Sequence, residues 1–238
     1  MKNLILLLIV LLFSSCASDW RTATRESAKI APPASELKES IIQVYVARTF
    51  NFRGVVAVHP WISWKLKEET EYTVAQIVGW RVRRGLPALV VEHDLPDRYW
   101  FGHAPSIIYE IRGKDAEDAI ARVKQLISSY PHANEYTLWP GPNSNTFVAH
   151  VIRNTPQLKV ELPPHAIGKD WLVDSTLFAP SPSGTGFQFS VYGVLGLTMG
   201  LGEGIEVNIL GLNFGIDFWT PALKLPMIGR VGFPDQSI

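Results

Sequence analysis

The sequence predicts an α+β fold: an antiparallel sheet packed by two main helices, with a glycine-rich β-hairpin extension at the C-terminus. Three observations carry this expectation. Short segments from residue 41 onward alternate apolar and polar residues at step two. Residues 115–130, and the stretch opening near Ser144, repeat apolar residues at three- and four-residue steps. After Asn154 the character changes to glycine-punctuated alternation.

Strands are expected at 41–49, 55–66 and 71–81, forming a meander, with further strands at 86–92 and 106–111. Gly54 and the Lys67-Glu68-Glu69 segment provide the turns. The clearest helix is 115–130: Asp115 suits an N-cap, Ala119, Ile120, Val123, Leu126 and Ile127 share one face, and Pro131 stops it. A Pro140-Gly141-Pro142 turn leads into a second helix, whose buried stripe is Phe147, Val148, Val151 and Ile152. From Phe187, apolar residues alternate through Phe189, Val191, Leu195 and Leu197, then Ile205, Val207 and Ile209, then Leu212, Phe214 and Ile216. These positions are expected to turn inward onto the first sheet, the alternative being that the hairpins rest on a membrane surface. The strands are too few for a transmembrane barrel.

The N-terminus reads as a secretory leader. Lys2 precedes an unbroken apolar run from Leu4 to Phe13, too short to span a bilayer, which needs about 20 residues. Ser14 and Ser15 lead directly into Cys16, the only cysteine. Phe-Ser-Ser-Cys resembles the bacterial lipobox, which implies acylation of Cys16 and cleavage before it; an ordinary cleaved signal with an incidental cysteine is the alternative. Ala17 after the cysteine resembles the sorting pattern of outer-membrane lipoproteins, so a periplasm-facing envelope protein is expected. The organisation then reads as a signal peptide (1–15), a lipidated cysteine with a flexible tether (16–40), an α+β core (41–160) and a β-rich extension packed on it (161–238).

Composition narrows the partners. With 22 basic and 22 acidic residues and no long block of either sign, a nucleic-acid partner lacks electrostatic support. A lipidated Cys16 leaves no thiol for a disulfide, a cysteine-zinc site or a nucleophile. The expected partner is the membrane, through the lipid anchor, together with peptidoglycan or lipid as ligands. No cofactor and no metal are expected. His93, Asp94, Asp97 and His103 share one loop, but their spacing matches no zinc signature, and a solvated loop is the better account. Gly200, Gly202 and Gly204 alternate with other residues in a hairpin pattern rather than a phosphate cradle.

Two pieces carry candidate chemistry. His59 sits in the apolar strand Val-Val-Ala-Val-His-Pro-Trp-Ile-Ser-Trp, and Ser144 opens a helix after Pro-Gly-Pro-Asn. A nucleophile at a helix N-terminus gains from the dipole and from free N–H groups that can hold an oxyanion. A histidine from a neighbouring strand can act as base. Against this, Ser144 between Asn143 and Asn145 suits an N-cap with no catalytic role, and His59 suits a satisfied core histidine.

Asn143-Ser144-Asn145-Thr146-Phe147, following a histidine strand, resembles the circularly permuted papain-like hydrolases, with serine in place of their cysteine. That resemblance implies a papain-like core over 41–160, with Ser144 as nucleophile, His59 as base and Gln76 on the next strand as its orienting polar residue. More of the chain resembles a family of bacterial envelope proteins known as a domain of unknown function numbered 3750. The residues carrying that likeness are VHPWISWK, VGWR, YPHANEYTLWPGPNSNTFVAHVIR, LPPHAIGKDW and the tail through ALKLPMIGR. Two functions remain open: a lipid-anchored binding or structural module that keeps a papain-like cleft without the thiol, and a serine-dependent hydrolase or acyl transferase acting on envelope amide or ester bonds.

Overall fold

A computed structural model describes residues 19–235. The leader and Cys16 lie outside the described residues. The fold is α+β, with two antiparallel sheets. The first has five strands in the order β4-β3-β2-β1-β5: β1 Ile41–Arg48, β2 Val58–Lys65, β3 Thr73–Ile77, β4 Leu89–His93 and β5 Ser106–Arg112. A single helical turn, α1 Arg53–Val56, links β1 to β2. The third strand stops at Ile77, short of the expected 81. From Gly79 the chain winds into a 3-10 helix, and Gly79 packs so closely on Tyr136 that a Cβ there would stand 2.5 Å from its ring.

Helices α2 (Gly113–Ser128) and α3 (Ser144–Arg153) cover one face of this sheet, α2 against β1 and β5, α3 against β2 and β3. Their apolar stripes meet Ile42, Val44, Val58, Ile62 and Trp64 in the main core. Side chains alternate along a strand, so Tyr45, Ala47, Trp61 and Val74 point to the opposite face. There the Tyr45 and Trp61 rings stack at 5.4 Å, and the Trp61 indole N–H donates to the carbonyl of Pro96 at 2.7 Å.

Residues 19–40, expected to be a flexible tether, lie against the domain instead. The buried Asp97 carboxylate accepts from Ser27 Oγ (2.8 Å) and from the backbone N–H groups of Ile30 (2.7 Å) and Ala31 (3.1 Å). Further on, Tyr72 donates its hydroxyl to the Pro32 carbonyl at 2.9 Å, and Lys65 Nζ donates to Leu37 O at 3.0 Å. A polar, proline-containing segment looks like a tether in sequence; backbone bonds to one buried carboxylate make it part of the fold.

The second sheet is a seven-stranded meander in sequence order: β6 Phe178–Pro180, β7 Phe187–Val191, β8 Leu195–Gly200, β9 Gly204–Ile209, β10 Leu212–Asp217, β11 Ala222–Leu225 and β12 Gly229–Gly232. Here the expectation that the apolar positions turn inward fails. Along β9, Ile205, Val207 and Ile209 are exposed, while Glu206 and Asn208 are 1–2% exposed. The same inversion runs through β8 and β10. The inward face is polar because it meets a polar layer from the 161–170 segment. Asp170 accepts from Gln188 Nε2 and from Asn208 Nδ2, each at 2.7 Å. Lys169 Nζ pairs with Glu206 at 2.5 Å, and Lys224 bridges Glu206 (2.9 Å) and Glu161.

Candidate functional site

His59 is the second residue of β2, and Gln76 lies on β3. The β2–β3 register pairs Ile62 with Ala75. Continued one step, it sets Gln76 opposite Trp61 and makes His59 its diagonal neighbour on the same face, within reach of a long side chain. The two meet: His59 Nε2 and Gln76 Oε1 are 3.0 Å apart. The amide oxygen can only accept, so Nε2 carries the proton and Nδ1 keeps its lone pair. The Trp100 ring stacks on the imidazole at 3.6 Å and 12°. Burial pushes the His59 pKa down to about 4, against the smaller upward pull of the Gln76 hydrogen bond, so the ring is neutral near pH 7.

The N-terminus of α3 is capped by Asn143, not by Ser144. Asn143 Oδ1 accepts from the N–H groups of Asn145 (2.9 Å) and Thr146 (3.1 Å), while its Nδ2 donates to Leu138 O and Ile167 O, each at 3.1 Å. The neighbouring Gly168 has φ +100°, and a Cβ there would lie 2.4 Å from Asn143 Nδ2, so the loop needs glycine at that point. Asn145 ties the helix to the strand by donating to Val58 O (3.3 Å) and Ile167 O (2.8 Å). Ser144 is thus the first helical residue, buried, and its hydroxyl makes no hydrogen bond among the described residues.

The structure brings His59 and Gln76 together and sets the first turn of α3 beside the residue preceding His59. It forms no hydrogen bond between Ser144 and His59. The helix rests on Val58, Ile62 and Trp64, whereas His59 shares its side of the strand with Trp61 and Trp100.

That side opens into a cavity of about 290 Å³, with Gln76, Trp80 and Trp100 in its wall and Arg25, Arg81, Arg84 and Arg98 around it. Glu92 and Asp94 also line it. Arg98 is spent on Asp94 and on the Arg25 carbonyl. Arg25 lies 4.3 Å over the Phe101 ring. Arg81 uses Nε on Pro87 O (2.9 Å), leaving the rest of its fork. The Arg84 guanidinium forms no hydrogen bond or ion pair among the described residues. The sequence did not announce this cluster, because it gathers side chains from the 19–40 segment, the 3-10 helix and the 94–103 loop. The one local signal is the basic run of Arg81, Arg83 and Arg84 beside Trp80. In the same loop, Asp94 and Asp97 are taken up by Arg98 and by the N-terminal segment, and among the described residues no group of three acids, histidines or cysteines is placed to hold a metal.

Residues 39–171 match a family model described as "Protein of unknown function (DUF3750)". No curated protein and no solved structure matches the chain. The match spans the first sheet, both long helices and the loop to Trp171; the seven-stranded sheet lies beyond it.

Proposed function

This chain belongs to the DUF3750 family, and we propose that it is a binding module of the bacterial envelope, anchored through a lipid on Cys16, that receives an anionic group of its ligand in the arginine–tryptophan cavity. The observation that carries this is the unpartnered Arg84 guanidinium beside the half-used Arg81 fork, over a wall of Trp80 and Trp100. A guanidinium fork matches a carboxylate or phosphate bidentately, and the flanking indoles offer flat apolar surface beside it. Carboxylates of peptidoglycan peptides and phosphates of lipid headgroups are the envelope chemistries of that kind. The expected result is saturable quenching of tryptophan fluorescence by a peptidoglycan stem peptide or by inorganic phosphate, weakened at least tenfold in Arg84→Ala. Equal affinity in Arg84→Ala refutes the site. The anchor has its own test: palmitate incorporation that disappears in Cys16→Ser.

A second reading is favoured by one specific feature. With Asn143 as the cap, the Ser144 hydroxyl has no structural duty, and it stands at the N-terminus of a buried helix behind a histidine strand, in the order of the permuted papain-like hydrolases. In that reading Ser144 attacks an ester or amide, its oxygen takes the acyl group and the alcohol or amine leaves with the proton; His59, held by Gln76 on the face of the sheet away from α3, serves as base only if β2 and the helix rearrange. A base with a pKa of about 4 is unprotonated across neutral and mildly acidic pH. The hydrolase reading requires ester hydrolysis that vanishes in Ser144→Ala at an unchanged melting temperature; turnover that persists in the variant ends it.

A further inference from the structure

The seven-stranded sheet has its polar side inward and its apolar side outward. Leu195, Ile205, Val207, Phe214, Ile216 and Leu223 all face out from the four adjacent hairpin-linked strands β8, β9, β10 and β11, and each is exposed. Among the described residues no charged side chain of these strands shares that face; their charges, Glu206, Asp217 and Lys224, are all about 1% exposed on the other side. This is not a loose register. Slipping one strand by a single residue would carry its inward polar groups to the outside, and those groups are bound: Gln188 and Asn208 to Asp170, Glu206 to Lys169 and Lys224. At about 4.8 Å between strands and about 3.3 Å per residue, the face measures roughly 30 by 20 Å. Soluble monomers rarely expose a contiguous apolar patch beyond a few hundred Å².

We infer that this face lies in the acyl region of a lipid leaflet. Two observations choose lipid over a second copy of the chain. First, the apolar surface runs off the sheet onto its turns: Tyr192, Leu210 and Ile228 at one end, Leu201, Trp219 and Phe233 at the other, each more than half exposed. Two sheets laid face to face would leave those turns in water, whereas a leaflet receives face and turns together, with aromatic rings at its polar boundary. Second, and resting on the lipid-anchor reading above, only two residues, Ala17 and Ser18, separate Cys16 from Asp19, a reach of about 10 Å. Residues 19–40 are packed on the domain, so the anchor has no slack and holds the body of the protein against the bilayer. The face rests on one leaflet without crossing: its longest strands have 6 residues, and a spanning strand needs about 9–11.

The test uses the full chain in a Cys16→Ser background, which removes the sole thiol and any lipid upon it. Single cysteines at Phe214→Cys or Val207→Cys, and at Lys124→Cys on exposed α2, carry an environment-sensitive bimane. With vesicles of phosphatidylethanolamine and phosphatidylglycerol, the labels at 214 and 207 are expected to shift to the blue and to be quenched by doxyl lipids, while the label at 124 is not. Face labels that stay open to aqueous iodide in the presence of vesicles overturn the inference. So do face labels shielded from iodide but untouched by doxyl lipid in a dimer, which would show a second copy on the face. Palmitate incorporation at Cys16 in the wild type reads the anchor separately: its absence with quenched face labels removes the anchor and leaves the face in lipid.

Discussion

Exchanging Asn143 and Ser144 for alanine one at a time separates the architecture of the α3 N-terminus from its chemistry. Asn143→Ala removes an N-cap, worth about 1 kcal/mol. It also deletes the two donations to Leu138 O and Ile167 O that hold the preceding and following loops. Ile167 O keeps Asn145 as a donor, so the second loss is partial. With about 1 kcal/mol for a net hydrogen bond, the sum is about 2–3 kcal/mol. For a domain of this size that lowers the melting temperature by roughly 5–10 °C. Ser144→Ala removes a hydroxyl without a partner and should stay within about 0.5 kcal/mol of wild type. Asn143→Asp keeps the acceptor and adds a charge favourable to the helix dipole but loses both donations, so it falls between them. Urea unfolding of the three variants, with the denaturant slope checked for constancy, measures these differences. Equal costs for Asn143→Ala and Ser144→Ala would refute the capping assignment, and with it the claim that Ser144 has a free hydroxyl.

The inverted sheet makes an unusual pair of expectations: in the absence of lipid, outward Ile209→Ser changes stability by no more than about 0.5 kcal/mol, while inward Asn208→Leu costs about 2–4 kcal/mol by stranding Asp170 and the Gly211 N–H; thermal melts of both variants check this. Lys169→Met leaves the buried Asp170 carboxylate without its ion pair and Glu206 with Lys224 alone, and should cost about 3–5 kcal/mol in urea unfolding. Below pH 6.5 the unfolded chain protonates His59, whereas the folded chain does so only near pH 4. The associated stability is therefore whole above pH 6.5 and is lost as the pH falls through 4, at most about 3 kcal/mol; unfolding at pH 7 and pH 4.5 should show a smaller difference in His59→Asn than in wild type.

Periodicity made the first sheet and both long helices legible, since alternation along 41–65 and the three-four spacing after Asp115 each match one kind of element. It also placed His59 and Gln76 on adjacent strands, close enough for the contact that forms. Three features escaped it for separate physical reasons. The 3-10 turn at Gly79–Arg84 alternates apolar and basic residues as a strand would, and only its packing against Tyr136 distinguishes it. The docking of residues 19–40 runs largely through backbone N–H groups and carbonyls, which carry no residue signature. In the second sheet the alternation was plain, but a period of two is the same whichever side faces in. Its polarity was decided by Lys169, Asp170 and Glu161, residues far from the strands in sequence.

The buried charges and the exposed apolar face are two sides of one design. In water, burying Lys169, Lys224, Glu206 and Glu161 behind a sheet is a poor exchange for burying the sheet's own leucines and isoleucines, because desolvation of paired ions offsets much of their attraction. Burial by itself raises the Glu206 carboxyl, yet Lys169 and Lys224 together bring it down to about 2, whereas burial and the neighbouring Glu206 push Glu161 well up, so the Glu206 pairs keep their charge where apolar residues would ordinarily pack. That exchange becomes favourable when the outer face meets hydrocarbon. Roughly 600 Å² at about 25 cal/mol per Å² is on the order of 15 kcal/mol of gross transfer free energy, from which the cost of immobilising the protein is subtracted. On the lipid-face proposal, an anchor at Cys16 and an uncharged sheet face would hold the domain at two places and so fix the orientation of the arginine–tryptophan cavity relative to the membrane.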